Sequence, residues 1–536
     1  MKKHQPKQSV IRSAAFMSLG TLSSRILGLA RDIVLAAFFS RTVTDAFVVA
    51  FRLPNMFRRL LGEGSLAVSF IPVFVGQLND GREDGEARAR RLSDAIFTLL
   101  LSATSALSVA GFVFMQPLLS YLVGGQGYMA IPGKFEQTVF LAKIMFAYLF
   151  LVTAYAFFMA LMNSLKKFFL PALAPAAFNF VLILFALIPS AWAEVPGTFL
   201  AWGVIAGGVA QVLIVAWPLW RQGYLPTLRI DFKAEGVKTV LQNMVPGLIG
   251  LGVLQLMSLI NIQFASRLGE GSHSYIYWAD RIMELPQSLI AVSLGAALLP
   301  TLSEVWSQSR HDEARQITQR HMRLIMFLSI PSAVGMWSLA QPIVEVLFMR
   351  GQFSVEDAEL TATVVKIYAF LLVATSFHRV IVTSFYAIKN TWLPAVASVV
   401  ALVAHVIIAS MWVDKYGLAG LVASTTVSGI LNVGIVLGAY RYFIGPVGIW
   451  PLVKSILHLS PAAITMGISV FWIYNLLWQM ITLQNLPSLG LGRAVALFTA
   501  ISAGVVIYFV VNKVIKQPDT AAVISLIKKR RQARRP

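Results

Sequence analysis

A chain of 536 residues that is 57% hydrophobic and 13% charged falls outside the soluble globular class, where about a quarter of residues carry charge. Its 44 Lys and Arg against 24 Asp and Glu leave a net charge of +20. In a membrane chain such an excess marks cytoplasmic loops, and that reading is taken over a nucleic-acid partner. Cysteine is absent, which excludes a disulfide framework and a thiolate metal site.

The N-terminal MKKHQPK is like the basic head of a signal peptide. The apolar run behind it is too long, and no A-x-A-like site closes it, so it reads as a retained first span. A helical span needs about 20 mainly apolar residues. Fourteen segments qualify: 10–39, 43–75, 95–122, 139–165, 170–192, 198–220, 240–266, 275–305, 324–348, 360–388, 393–413, 418–440, 452–478 and 493–511. Cations cluster in every second connection. Lys2, Lys3, Lys7 and Arg12 lead the chain. Arg82, Arg88, Arg90 and Arg91 follow span 2, and Lys166 and Lys167 follow span 4. Arg221, Arg229, Lys233 and Lys238 follow span 6, Arg310, Arg315, Arg320 and Arg323 follow span 8, and KKRRQARRP ends the chain. The other loops carry single cations: Arg41, Lys134, Arg267, Arg350 and Lys415. Both termini are therefore expected on the cytoplasmic side, with an even number of spans.

The chain repeats itself. KKFFLPALAP at 166–175 matches KNTWLPAVAS at 389–398, and the same offset sets Lys143-Ile144 on Lys366-Ile367. FIPVF at 70–74 aligns more weakly with LLPTL at 298–302. An even repeat of six spans keeps its orientation, so the halves are parallel repeats. The expected architecture is all-α and polytopic. It has an N-lobe at 1–222 (spans 1–6), a C-lobe at 223–445 (spans 7–12), an extra pair of spans at 446–513, and a basic cytoplasmic tail at 514–536.

Two lobes imply a cleft, and charged residues within spans face such water-filled cavities. Each charge at a bilayer centre costs about 2.5–3.5 kcal/mol on insertion scales. Span 1 carries Arg25, Arg31 and Asp32, with Arg25 and Asp32 placed to pair on one helical face. Span 2 carries Asp45, Arg52, Arg58, Arg59 and Glu63, with Pro54 set to bend it and Gly62 and Gly64 allowing further deformation. Span 8 carries Asp280, Arg281 and Glu284, spaced to interact along one helix. Asp32, Asp45, Glu63 and Asp280 read as charge partners rather than ligands. Spans 1 and 2 still hold a surplus of arginine, and arginine suits bidentate recognition of phosphate or carboxylate. The cavity is therefore expected to take an anion. On depth alone Arg52 is favoured over Arg58 and Arg59, which sit where they can snorkel to the interface. Lys143 and Lys366 read as snorkelling anchors, Arg379 as a second-lobe cavity residue, and His378 and His405 as interior histidines.

No Walker A sequence, H-E-x-x-H pair or other metal constellation is present in the sequence. Transport without hydrolysis is expected, and not an enzyme.

SRILGLARD, TDAFVVAFRLPNMFRRLLGEGSLAVSFIPV and YWADRIMELP resemble the MurJ (MviN) family of lipid II flippases, in the multidrug/oligosaccharidyl-lipid/polysaccharide exporter superfamily. The resemblance covers nearly the whole chain. It implies a central cationic cavity opened alternately to each side of the bacterial inner membrane. Lipid II, an undecaprenyl-pyrophosphate-linked disaccharide-pentapeptide, would be flipped outward there for peptidoglycan synthesis, cell-wall biogenesis and cell shape. The family's important arginines fall on Arg25, Arg31, Arg58 and Arg281, which raises Arg58 above its depth-based rank; its important acids fall on Asp45 and Glu284, as gate or charge balance. The extra pair of spans would form the lipid-tail groove. Partners would be lipid II, membrane lipids and other cell-wall synthesis proteins. No cofactor is implied, and the energy source is left between the membrane potential and protons. Spans 7 and 11 lack the acids of sodium-linked relatives, so no sodium site is expected. The other substrate weighed is a different polyprenyl-pyrophosphate-linked glycan.

Overall fold

The structure, a computed structural model, describes residues 7–60, 65–288, 290, 293–446, 448–483 and 489–520. Among these residues there is no strand, so the all-α expectation holds. Among the described residues, each of the fourteen apolar segments lies mostly on helix. By length and apolarity alone, eight described helices can cross a membrane, or nine counting one bent pair. The count of fourteen is thus not established by the helices themselves.

Compactness divides the chain into two units, 1–274 with 350–352, and 275–349 with 353–536. The first contains α1 (Lys7–Phe38), α2 (Arg41–Leu60), α3 (Leu66–Leu78), α4 (Gly85–Val123), α5 (Gln126–Met129), α6 (Lys134–Phe146), α7 (Tyr148–Ser164), α8 (Phe169–Ala186), α9 (Thr198–Arg221) and α10 (Val237–Ala265). Its core joins α3, α4, α7, α9 and α10 through Leu66, Phe70, Leu92, Phe157, Leu219 and Val240, all fully buried. Phe157 anchors it, with ring centroids 5.0 Å from Phe70 and 5.4 Å from Phe97. This compact unit runs on to Ser274, since α10 packs on α2, α3 and α4.

The second unit takes in most of α11 (Ser272–Gln287), then α12 (Ser293–Ser307), α13 (His311–Ser338), α14 (Ala340–Phe348), α15 (Val355–Ala387), α16 (Trp392–Phe443), α17 (Ile449–Leu483) and α18 (Leu489–Val514). A bend of 72° separates α13 from α14. The extra pair α17 and α18 shares one core with α13, α15 and α16, and the Tyr508 hydroxyl donates to the Phe327 carbonyl at 2.8 Å. The 52 residues of α16 would reach about 78 Å if straight, far beyond a hydrocarbon core of about 30 Å. Gly417 breaks it at φ +59° and ψ −136°, where the sequence separates spans 11 and 12.

The repeat motifs recur in the backbone. Lys166 and Lys389 both adopt left-handed φ, at 61° and 59°, an uncommon conformation for a side-chain-bearing residue. Each closes a helix by donating its N–H three residues back, to Asn163 and to Tyr386, at 3.0 Å in both cases. Gly81 and Ser309, after FIPVF and LLPTL, are likewise left-handed at 77° and 58°. Left-handed residues end helices by satisfying their last carbonyls, so the two halves stop their helices by the same device.

One tight turn invites a test. Gly351 has φ +59°, and a methyl group there would meet the Ala37 carbonyl oxygen at 2.1 Å, where the Gln352 N–H already donates at 2.9 Å. Gly351→Ala is expected to lower stability by at least about 1–2 kcal/mol, the left-handed penalty alone, as a fall in the thermal midpoint of the detergent-solubilised protein. An unchanged midpoint would contradict the packing described.

The chain between α9 and α10 is strapped along the first turns of α4. Arg88 organises the strap. It holds Asp84 at 3.1 Å, Glu235 at 3.0 Å, and Asp80. The Arg82 backbone N–H and the Arg88 guanidinium hold the Asp80 carboxyl below the ordinary value near 3.8. A carboxyl with a pKa lowered by folding contributes stability above its unfolded value and loses it as pH falls through the folded value. Amide exchange across 222–236 is therefore expected to stay slow at neutral pH and to accelerate only below pH 3.8, after correction for intrinsic rates. Arg88→Gln should remove that protection already at pH 7.

Candidate functional site

The charged residues of α1 and α2 form two separate groups. In the first, Arg31 is 5% exposed and Asp32 fully buried. Arg31 donates through Nε and Nη2 to Asp32 Oδ1 at 2.9 and 2.6 Å, and through Nη1 to Asn179 Oδ1 at 3.0 Å. Asn179, on α8, donates in turn to the Ser24 carbonyl at 3.1 Å. Arg31 thus fastens α1 to α8, and Asp32 balances it. Neighbouring residues in a helix do not normally face each other; the length of the arginine side chain lets it fold back. Arg25 lies on an exposed face of α1.

On α2, Arg52 is half-buried and donates to Ser258 Oγ of α10 at 2.5 Å. Arg58 is half-buried and donates to Asn55 Oδ1 at 2.8 Å. On α7 the buried Tyr148 hydroxyl donates to Gln211 Oε1 of α9 at 3.2 Å. Glu63 lies outside the described residues.

The second group is built on Asp45, which is fully buried. Its Oδ2 accepts from Lys134 Nζ at 2.7 Å and from the Gly271 N–H at 2.8 Å. Its Oδ1 accepts from the Ser274 N–H at 2.9 Å and Ser274 Oγ at 2.7 Å. One carboxylate thus neutralises an ammonium and caps the start of α11, where unsatisfied N–H groups favour negative charge. Lys134, 1% exposed, also stands 4.4 Å from the Tyr128 ring centroid. Tyr128 bonds Thr138 at 2.6 Å and meets the His273 ring edge-on at 5.2 Å. Asp45 read as a charge partner or gate, and the cation it holds is the lysine that opens α6. That lysine stood alone in an otherwise bare loop, and this isolation was the signal available for it.

In the second unit, Arg281 Nη1 pairs with Glu284 Oε2 at 2.7 Å. Its guanidinium lies 5.0 Å from the Tyr277 ring centroid and donates to the Tyr277 hydroxyl at 3.3 Å. Asp280 is half-buried beside it. Lys143 stands over the Phe112 ring at 5.4 Å, Lys366 and Arg379 are exposed on α15, and buried His405 bonds Ser424 Oγ at 3.2 Å. Among the described residues no cluster of acids and histidines could hold a metal ion. A cavity of about 520 Å³ between α13, α15 and α16, lined by Met326, Trp337, Phe370 and Phe377 among others, is wholly apolar and offers nothing to a charged head group.

Solved structures place this architecture. It superposes on a lipid II flippase MurJ in an inward closed conformation with a TM-score of 0.74, at 22% identity, over 93% of this chain and 98% of that one. An inward-facing multidrug resistance MATE transporter of the MOP superfamily gives 0.67 at 14% identity, over 78% and 94%. The chain has the fold of these two solved structures, a multi-pass helical architecture. The family model for lipid II flippase MurJ matches residues 34–491. A probable lipid II flippase MurJ of Bdellovibrio bacteriovorus is 43% identical over 505 residues, 94% of each chain. The lipid II flippase MurJ of Burkholderia cenocepacia is 33% identical over 430 residues, 79% of this chain and 82% of its own. The chain belongs to the lipid II flippase MurJ family.

Proposed function

We propose that this protein moves lipid II from the cytoplasmic to the outer face of the bacterial inner membrane by alternating access, and catalyses no covalent chemistry. The observation that carries this reading is the family match across residues 34–491, joined to the arginines that α1 and α2 hold within apolar runs. Arg25, Arg31, Arg52, Arg58 and Arg281 would replace the water around a pyrophosphate, for which planar guanidinium groups are suited. Asp32, Asp45, Glu63, Asp280 and Glu284 would balance or gate them. The undecaprenyl tail would stay in lipid along α17 and α18. Both termini would face the cytoplasm, as the alternation of loop charge requires. Energy would come from the membrane potential, worth about 2.3 kcal/mol per charge per 100 mV, or from protons; an inside-negative potential pushes an anionic head group outward.

The test is rescue of a flippase-depleted bacterium, scored by lipid II exposed on the outer face, with wild type, Arg25→Ala and Arg31→Ala at matched membrane levels. Rescue by the wild type alone is expected. Equal rescue by all three would move the anion site elsewhere. Failure of a well-inserted wild type would shift the substrate to another polyprenyl-pyrophosphate-linked glycan.

A further inference from the structure

The strap between α9 and α10 does not simply cross the end of the first unit; it descends along α4 and climbs back. Tyr224 bonds Glu86 at 3.1 Å, in the first turn of α4. The Thr227 N–H and Oγ1 bond the Asp94 carboxylate at 2.9 and 2.8 Å. The Arg229 N–H then bonds Thr98 Oγ1 at 2.7 Å. By Glu235 the chain is back at Arg88. With a rise of about 1.5 Å per helical residue, the descent from Glu86 to Thr98 is about 18 Å. Thr98 lies one turn inside the apolar segment 95–122 of α4, so the tip of the strap reaches the near end of a spanning segment, the level of the membrane interface.

The tip has the composition for that depth. It has no regular secondary structure up to Asp231, where a turn begins, and Leu228, Ile230 and Phe232 are 73%, 78% and 69% exposed. These three large apolar side chains lie within five residues of one another on the exposed strap. Trp217 and Trp220, exposed on the last turns of α9, belong to the residue type that marks membrane–water interfaces. Arg221 stacks on Trp217 at 4.8 Å. Arg229 and Lys233 alternate with the apolar residues, and Asp231 is half-buried between them. Long cationic side chains reach from such a depth to the phosphate level.

We propose that residues 227–233 are an interfacial lipid-binding element. Leu228, Ile230 and Phe232 enter the acyl boundary of the inner leaflet, while Arg229, Lys233 and Arg221 hold anionic phospholipid head groups. The occupant is the membrane itself, since hydrogen bonds to Asp94 and Thr98 hold the apolar tip beside the end of the 95–122 span and the cations border it. The choice of leaflet rests on the orientation given under the proposed function; the insertion does not.

The chain lacks cysteine, so single labels can be placed directly. Ile230→Cys and, as an exposed control in the 79–84 turn, Glu83→Cys are labelled with an environment-sensitive fluorophore. The full chain is reconstituted into phosphatidylcholine vesicles holding one-third phosphatidylglycerol, with acyl bromines on one lipid or the other. Lipid II movement is not read, so the result is independent of the substrate. Position 230 is expected to be quenched several-fold more by bromolipid and several-fold less by aqueous iodide than position 83. Quenching should be stronger when phosphatidylglycerol carries the bromine, and Arg229→Gln with Lys233→Gln should abolish that preference. Equal iodide quenching at the two positions would overturn the proposal and give the edge to a soluble protein partner. Equal quenching by the two bromolipids would overturn it as a site for anionic lipid.

Discussion

Lys134→Met is expected to destabilise the first unit by about 3–5 kcal/mol, the usual cost of leaving a buried charge without its partner. Asp45 has no exposed surface and Lys134 almost none, so water cannot take the place of the missing ammonium. The three donors from Gly271 and Ser274 would remain, but they cannot neutralise a carboxylate. Asp45→Asn keeps an acceptor for those donors and removes the charge. The double variant should therefore unfold nearer to wild type than Lys134→Met alone, in thermal unfolding of the detergent-solubilised protein. Two losses that simply add would show that the pair is not energetically coupled. Replacing both by leucine should recover less, because buried N–H groups at the start of α11 would lose their acceptor.

Arg281→Ala is expected to lower transport by about 2–5 kcal/mol of lost interaction, at least tenfold in rate, with normal membrane abundance. The guanidinium is held by Glu284 and by the face and hydroxyl of Tyr277. It stays about a quarter exposed, so it is oriented without being sealed off. Arg281→Lys should not restore the rate, because an ammonium cannot reproduce the planar fork. Glu284→Gln should fall between wild type and Arg281→Ala, since it loosens the arginine without removing it. Outer-face lipid II exposure at matched protein levels measures all three. Full activity of Arg281→Ala would remove this residue from the anion site while leaving the family assignment intact.

Much of the molecule was legible in the order of its residues. Apolar runs of span length gave the helices, and a recurring Lys with Leu-Pro gave the repeat that Lys166 and Lys389 display in backbone form. Arg25, Arg31, Arg52, Arg58 and Arg281 stood out because each is costly in an apolar run. Partner choice was not legible. Helical spacing gave no sign that Arg31 folds back onto Asp32 from the adjacent position. Nor were the partners of Arg52 and Arg58 legible: Arg52 donates to Ser258 of α10, and Arg58 to Asn55 within α2.

The sequence by itself determined membrane class, helix content, internal repetition and the cationic surplus, because these follow from composition and from periodicities of a few residues. Only the tertiary structure decided that Asp45 belongs to Lys134 and the start of α11, that α10 packs with the first unit, and that the 227–233 strap runs down α4. A carboxylate reaches only a few ångströms, and residues 45, 134, 271 and 274 come within that reach only when helices far apart in the chain have packed.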